Sequence, residues 1–417
     1  MPDRLICSFR GREPSRGPAR RAWSPVWVRR TRNRLSLGRR VVSLVCSALM
    51  VLATGMMALT LPLAVADADP GLPDVTIHST TTPMTNAAAT AINVIAACPS
   101  GSTLFGGGAF ERRITSASDV PGNGLKLNGT IPSDSSGNPV ADGATTPSNW
   151  TAVAGFGGQS DTGDQATAFA NCATGGPAAT VIKVSAPVGL ATQGNPPNTT
   201  TATCPSGTSL LSGGALGVPA SEPSFKPIAS YPSDSSGNPV ADGTTNPRSW
   251  TAYGSAGQVF PDEQVSAFAV CSTDATINTQ VTRIDATGPQ LGTTFTTTTA
   301  TCATGTRLLG GGVLADQGLN VEPQQGVHLR GSFPSDSSGN AAADGTFNTD
   351  SWTGVVQAGG QATPGTQARV FAMCVPSSVP VPAGAIGGIL LTGLVALVFI
   401  GYQLARRPRP LRQPAIS

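Results

Sequence analysis

The side chains best placed to do chemistry stand in a stretch that occurs three times. PSDSSGNPVADG runs from Pro132 to Gly143, recurs unchanged from Pro232 to Gly243, and returns as PSDSSGNAAADG from Pro334 to Gly345. In the first copy, oxygen-bearing side chains alternate at Asp134, Ser136, Asn138 and Asp142, which is the arrangement a calcium loop uses to surround a hard cation. The pairs Asp134 and Asp142, Asp234 and Asp242, and Asp336 and Asp344 are therefore candidate metal ligands, with Ca²⁺ as the one cofactor to consider. Against that reading, Pro139, Pro239 and Ala341 stand where such a loop turns on glycine. Thr145, Thr245 and Phe347 stand where its bidentate glutamate belongs. Asp, Ser, Gly and Asn are equally the residues of a polar turn, so the sequence expects a turn and leaves calcium as the alternative.

A tryptophan follows each copy, at Trp150, Trp250 and Trp352. Exposed, these rings would be platforms on which a sugar could stack; buried, they would pack the sheets together. Catalysis finds little material. His78 and His328 are the only histidines and occupy non-equivalent places. The acidic pairs Asp161/Asp164 and Asp262/Glu263 have no counterpart in the third copy. The glycine runs are not followed by the Gly-Lys-Ser/Thr of a phosphate loop. The chain is expected not to be an enzyme.

The elements that must position these residues are strands. Charged residues make up 12% of the 417 residues and aromatics 5%, with Gly, Thr, Ser, Ala and Pro filling the balance; that composition suits turn-rich β-structure and not helices. Aligning the tryptophans gives three domain-sized repeats at 74–174, 175–273 and 274–375. Each opens on a Thr/Val-rich strand and continues through a cysteine to a strand with a glycine run (TLFGGGAF, SLLSGGAL, RLLGGGVL). The Asp-rich stretch, the Trp strand and a last strand with a second cysteine follow. In that last strand Phe169, Phe268 and Phe371 alternate with Ala170, Ala269 and Ala372, as in a strand buried on both faces. The expectation is all-β: three tandem disulfide-closed β-sandwich-like domains, each around its own core.

Six cysteines fall two per repeat, and the repeat makes one pairing simplest: Cys98–Cys172, Cys204–Cys271 and Cys302–Cys374. Each would close a loop of about 70 residues, worth on the order of 4 kcal/mol of unfolded-chain entropy. Although the order Cys, Trp, Cys suggests an immunoglobulin domain, there the Trp follows the first Cys closely. Here it trails by about fifty residues, which argues against that topology.

The two ends of the chain fix its expected location. Residues 1–66 hold twelve Arg and two acids, with an apolar run that ends in Ala64-Val65-Ala66, the signature of a secretory signal behind a long basic leader. An uncleaved anchor is the alternative, because the run is long enough to span a membrane. Residues 376–405 read as a short extended stalk and one uncharged transmembrane helix. Residues 406–417, with Arg406, Arg407, Arg409 and Arg412, read as a cytoplasmic tail. Removing those sixteen arginines and two acids leaves ten basic against twenty-one acidic residues between the ends, so the repeats would repel nucleic acid.

The pattern C-P-x-G-x-x-L-x-G-G-G, a Pro-Ser-Asp loop, a Trp strand and a closing F-A-x-C resembles repeats of exported proteins from high-GC Gram-positive bacteria. Cys98, Pro99, Gly101, Gly106–Gly108, Trp150 and Cys172 carry it here, with their counterparts downstream; Ala303 replaces the proline in the third repeat and Ser212 the first glycine in the second. The resemblance implies an actinobacterial-type cell-surface protein and brings no catalytic residues. The expected function is a non-enzymatic, single-pass, membrane-anchored adhesion or ligand-binding ectodomain, its ligand an envelope or host glycan or a protein. A structural envelope spacer is the alternative.

Overall fold

The strands read from the sequence form in all three repeats, in the succession in which they were read along the chain, but the repeats are not separate bodies. A computed structural model describes residues 74–84, 91–115, 118–120, 125–156, 163–187, 198–218, 225–256, 262–289, 295–316, 327–358 and 365–376. The leader, the membrane segment and the tail lie outside these residues. The first repeat forms β1 (Val75–Pro83), β2 (Ile92–Ala97), β3 (Ser102–Thr115), a short β4 (Ser118–Val120), β5 (Leu125–Ser133), β6 (Asn149–Phe156) and β7 (Asp164–Thr174). The second forms β8 (Ala179–Pro187), β9 (Asn198–Thr203), β10 (Ser209–Val218), β11 (Phe225–Ser233), β12 (Ser249–Ala256) and β13 (Gln264–Ser272). The third forms β14 (Gln280–Thr287), β15 (Phe295–Thr301), β16 (Thr306–Asp316), β17 (Val327–Ser335), β18 (Ser351–Ala358) and β19 (Gln367–Pro376). Among the described residues the protein is all-β, with no helix.

Within a repeat, three strands pack face to face on the other three, as in a sandwich: β6 lies over β3 and β7, and β2 over β1 and β7. Each layer then continues into a different repeat. Sheet A runs β1-β7-β3-β17-β18-β15, with β4 added to β3; sheet B runs β2-β6-β5-β10-β13-β8; sheet C runs β14-β19-β16-β11-β12-β9. Every pairing is antiparallel. The seams between repeats are two residues long: Thr130 with Ala215, Ser230 with Val313, and Ser332 with Ala109 each stand in one. Repeat 1 thus joins repeat 2, repeat 2 joins repeat 3, and repeat 3 joins back to repeat 1. The expectation of three domains with private cores is corrected here. One apolar cluster draws on all three repeats, and the other joins repeat 2 to Leu314, Phe371 and Met373 of repeat 3.

The glycine run explains how six strands approach so closely. A Cβ on Gly107, Gly213 or Gly311 would collide with the indole of Trp150, Trp250 or Trp352, so each tryptophan lies flat on a glycine of the facing layer. The residues just before them, Gly106, Ser212 and Gly310, converge where the three repeats meet. A Cβ on either glycine would strike the Ser212 side chain, so that centre holds one side chain and no more. Ser212 Oγ donates to the Phe105 carbonyl at 3.0 Å, and Asn171 Nδ2 donates to the Leu309 carbonyl at 2.8 Å. The departure of Ser212 from the glycine pattern is thus where the three repeats have to differ.

All three disulfides form as the repeat implies: Cys98–Cys172, Cys204–Cys271 and Cys302–Cys374, with Cα separations of 5.5, 5.6 and 5.7 Å. In each, one cysteine directly follows a strand of one sheet and the other sits in a strand of a second sheet. The three bridges link A to B, B to C and C to A.

Candidate functional site

The Asp-rich stretch has two halves with different work. In the first half Asp134 Oδ1 accepts the N–H groups of Ser136 and Asn138 at 2.9 and 2.8 Å, and Oδ2 accepts Asn138 Nδ2 at 3.0 Å. Asp234 and Asp336 repeat those bonds with their own loops. The Asn138, Asn238 and Asn340 side chains, followed by the loop amides, hold the three carboxyls below the usual carboxylate range. This is the polar turn the composition allowed.

The second half reaches into the next repeat. Asp142 Oδ1 accepts the Lys183 N–H at 2.9 Å, and Asp242 Oδ1 accepts that of Arg283 at 2.8 Å. Asp344 Oδ1 accepts that of Ser79 at 2.9 Å, which closes the ring from the third repeat onto the first. Backbone bonds surround each contact: Gly143 to Val181, Val181 to Ala144 and Thr146 to Ala179 in one seam, Gly345 to Ile77, Ile77 to Thr346 and Asn348 to Val75 in another. The stretch is therefore a clasp on the first strand of the following repeat. Asp134 and Asp142 serve different partners, and among the described residues no group of three or more His, Cys, Asp or Glu gathers around a common point.

Thr146, Asn246 and Asn348 adopt left-handed backbone in the clasps, with φ of 51°, 50° and 47°. Asn246 Oδ1 accepts the Thr279 N–H at 2.9 Å and Asn348 Oδ1 accepts the Val75 N–H at 3.0 Å. Asn suits that conformation; a β-branched Thr does not. The ring-closing seam has further ties: Asp74 meets Arg307 Nη1 at 3.1 Å and Asn348 Nδ2 at 2.9 Å, and His78 Nδ1 lies 3.7 Å from Asp344.

The tryptophans are not stacking platforms. Trp150, Trp250 and Trp352 are fully buried, and their Nε1 groups donate to Thr130 Oγ1, Ser230 Oγ and Ser332 Oγ at 2.8, 2.9 and 3.0 Å. A ring pressed onto glycine on one side, with its N–H already bonded inside the sandwich, has no face to offer a sugar. The co-occurrence of a Trp and a glycine run in every repeat was the available signal for this packing.

The opposite end, where β3 finishes and β7 begins, breaks the threefold pattern. Arg113 binds Asp164 through Nε at 2.7 Å and Nη2 at 3.1 Å, both buried. Glu111 is fully buried; its Oε1 accepts the Gly155 N–H at 3.1 Å, and burial pushes its carboxyl well above the ordinary value. Gly217 and Ala315 take its place in the other repeats by strand register. His328 Nε2 lies 3.0 Å from the Leu125 carbonyl.

On the outer face of sheet C a ladder of alternating charge crosses three strands. Arg283 pairs bidentately with Asp285, Nε at 2.7 Å and Nη2 at 2.6 Å. Arg369 Nε stands 3.7 Å from Asp285 and 2.8 Å from Asp316. Sequence reading passed over these residues because each occurs in one repeat only. No protein-family model matches the chain, and no curated protein matches it.

Proposed function

We propose that this chain is a non-enzymatic, membrane-anchored cell-surface protein of the actinobacterial type whose three repeats form a ligand-binding ectodomain. The observation that carries the reading is where the first and last described strands, β1 and β19, begin and end. Val75 pairs with Ala173 and Pro376 pairs with Thr306, so the first and last strands start and stop at the end that bears the clasps and disulfides. The stalk and apolar segment from 376 to 405 follow directly. A segment of about seven residues reaches at most roughly 25 Å, so the clasp end would lie toward the membrane and the divergent end and the sheet faces away from it. There the repeats differ, as recognition surfaces do and scaffolds need not.

The burial of all three tryptophans favours the second reading, an envelope spacer without a specific ligand. Saturation separates the two. Labelled ectodomain, residues 67–376, is titrated onto intact cells and isolated envelope. The ligand-binding reading expects a saturable isotherm displaced by unlabelled protein; a linear, undisplaced signal makes the chain a spacer. Turnover of any envelope polysaccharide would overturn the non-enzymatic assignment.

A further inference from the structure

The three sheets are equivalent by register, so their outer faces can be compared residue by residue. Where sheet C has Arg283 opposite Phe371 and Asp285 opposite Arg369, sheet B has Lys183 opposite Phe268 and Ser185 opposite Ser266, and sheet A has Ser79 opposite Phe169 and Thr81 opposite Thr167. In B and A the second pair is a plain hydroxyl contact: Ser185 Oγ to Ser266 Oγ at 2.7 Å, and Thr81 Oγ1 to Thr167 Oγ1 at 2.8 Å. The same register sets Asp316 of sheet C against Val218 and Arg112, Tyr253 against Val153 and Val355, and Tyr231 against Ile131 and Phe333. The other faces keep parts of this arrangement, the Phe169–Phe333 stack at 5.8 Å in sheet A and Lys183 at 5.6 Å from the Phe268 centroid in sheet B, but sheet C alone sets two tyrosines, two arginines and two aspartates together at these positions.

Those groups form one surface. Tyr231 stacks on Phe371 at 5.9 Å and on Tyr253 at 6.4 Å, and the Arg283 guanidinium lies 5.8 Å from the Phe371 centroid. Tyr231 and Phe371 belong to strands on either side of β16, and their rings meet across Gly312, which has no side chain to separate them. Tyr231, Phe371 and Arg369 form its buried floor. Tyr253 and Arg283 are half-buried above it, and Asp285 is 40% exposed at the rim. On the far rim, β9 turns Thr199 and Thr201 to the same side, and Thr201 Oγ1 bonds Thr251 Oγ1 at 2.8 Å.

We propose that the outer face of sheet C binds a hydroxyl-rich glycan chain, a proposal that rests on the ligand-binding reading above. An aromatic ring offers its face to the C–H side of a sugar. Arg–Asp pairs present donors and acceptors together, which matches vicinal hydroxyls. The two arginines and two aspartates cancel, so the face selects hydroxyls over net charge. The occupant is placed across the seam of repeats 2 and 3, with the ring of Tyr253 and the rim carboxylate of Asp285 as its contacts.

Sheet B supplies a variant that the fold already tolerates. Tyr253→Val, Arg283→Lys, Asp285→Ser, Asp316→Val and Arg369→Ser together write five of the six differing sheet B residues into sheet C and leave the buried Tyr231 in place. Removing both members of the Arg369–Asp316 pair leaves no buried charge alone. The ectodomain is titrated calorimetrically with xylohexaose, cellohexaose, maltohexaose and mannohexaose, whose residues all carry vicinal hydroxyls, and in parallel onto envelope before and after periodate oxidation. The proposal expects saturable binding to at least one oligosaccharide and loss of envelope binding after periodate. It further expects roughly tenfold or greater weakening in the five-residue variant, with its thermal melt still cooperative. The single variant Asp285→Asn, at an exposed rim, should weaken binding without moving the melt. Three results would each overturn the proposal: no binding to any of the four sugars, envelope binding that survives periodate (a protein ligand), or full affinity in the five-residue variant. Saturable envelope binding that the variant retains sinks the sheet C face and leaves the ligand-binding reading standing; absence of saturable envelope binding sinks both.

Discussion

The two ends of the molecule have followed different rules. At the clasp end the three copies of the Asp-rich stretch make the same turn and the same bond to the next repeat, and the disulfides recur with them. At the other end Glu111, Arg113 and Asp164 form a buried group in the first repeat alone. The contrast follows from what each end must fit. A clasp has to match a neighbour that is itself a copy, so a change in one seam breaks an equivalence shared by three. At the other end the residues that meet differ from copy to copy, as where His328 of the third repeat reaches the Leu125 carbonyl of the first, so a change there breaks no shared equivalence and can be put to use.

That contrast can be broken or sharpened by substitution, read as urea denaturation of the ectodomain. Asp164→Ala should act most strongly, costing about 3–5 kcal/mol, because it removes the carboxylate that binds the buried Arg113 guanidinium at two points. A loss below about 1 kcal/mol would show that the divergent end is not held by its charges. Glu111→Gln should act through pH. The folded protein keeps on this carboxyl a proton that the unfolded chain releases above about pH 4.3. Its favourable contribution is thus present below that value and lost as pH rises toward the folded one. The variant should therefore gain on the parent as pH climbs from about 4 to 7; parallel pH profiles would refute the assignment. Thr146→Asn should be a pH-independent gain of about 1 kcal/mol. It relieves a β-branched residue at φ 51° and supplies the carboxamide that Asn246 and Asn348 already use. No gain would mean that the first clasp differs from the other two.

Much of the scaffold was legible in the sequence because its causes are local or periodic. Alternation and turn residues announced the strands, and two cysteines per repeat announced the pairing. The Phe/Ala alternation marked β7, β13 and β19 as buried on both faces, as they are. The sharing of sheets was not legible. A repeat of about 100 residues looks self-sufficient, and only the register shows that β5 is completed by β10. The clasp was hidden for the same reason: Asp142 meets Lys183, far beyond the reach of turn rules. Trp150 offered two readings that composition cannot separate, and Gly107 across the sandwich decides between them. The sheet C ladder was invisible to a search for recurring features, since its distinction is that it does not recur.

The ring-closing seam also sets a timetable. Val75 donates its N–H to Asn348, 273 residues later, and Ser79 donates its own to Asp344. If the chain is exported from its amino terminus, β1 reaches the outside first and waits for the last repeat. Non-local closure of this kind is slow to form, and until it happens the edges of β3 and β17 that meet in sheet A stand open to any other strand. The disulfide Cys98–Cys172 lies wholly within the first repeat, so an oxidising exterior can lock that repeat while the third is still crossing. The covalent bond holds the early half of the molecule in shape for a partner that has not yet arrived.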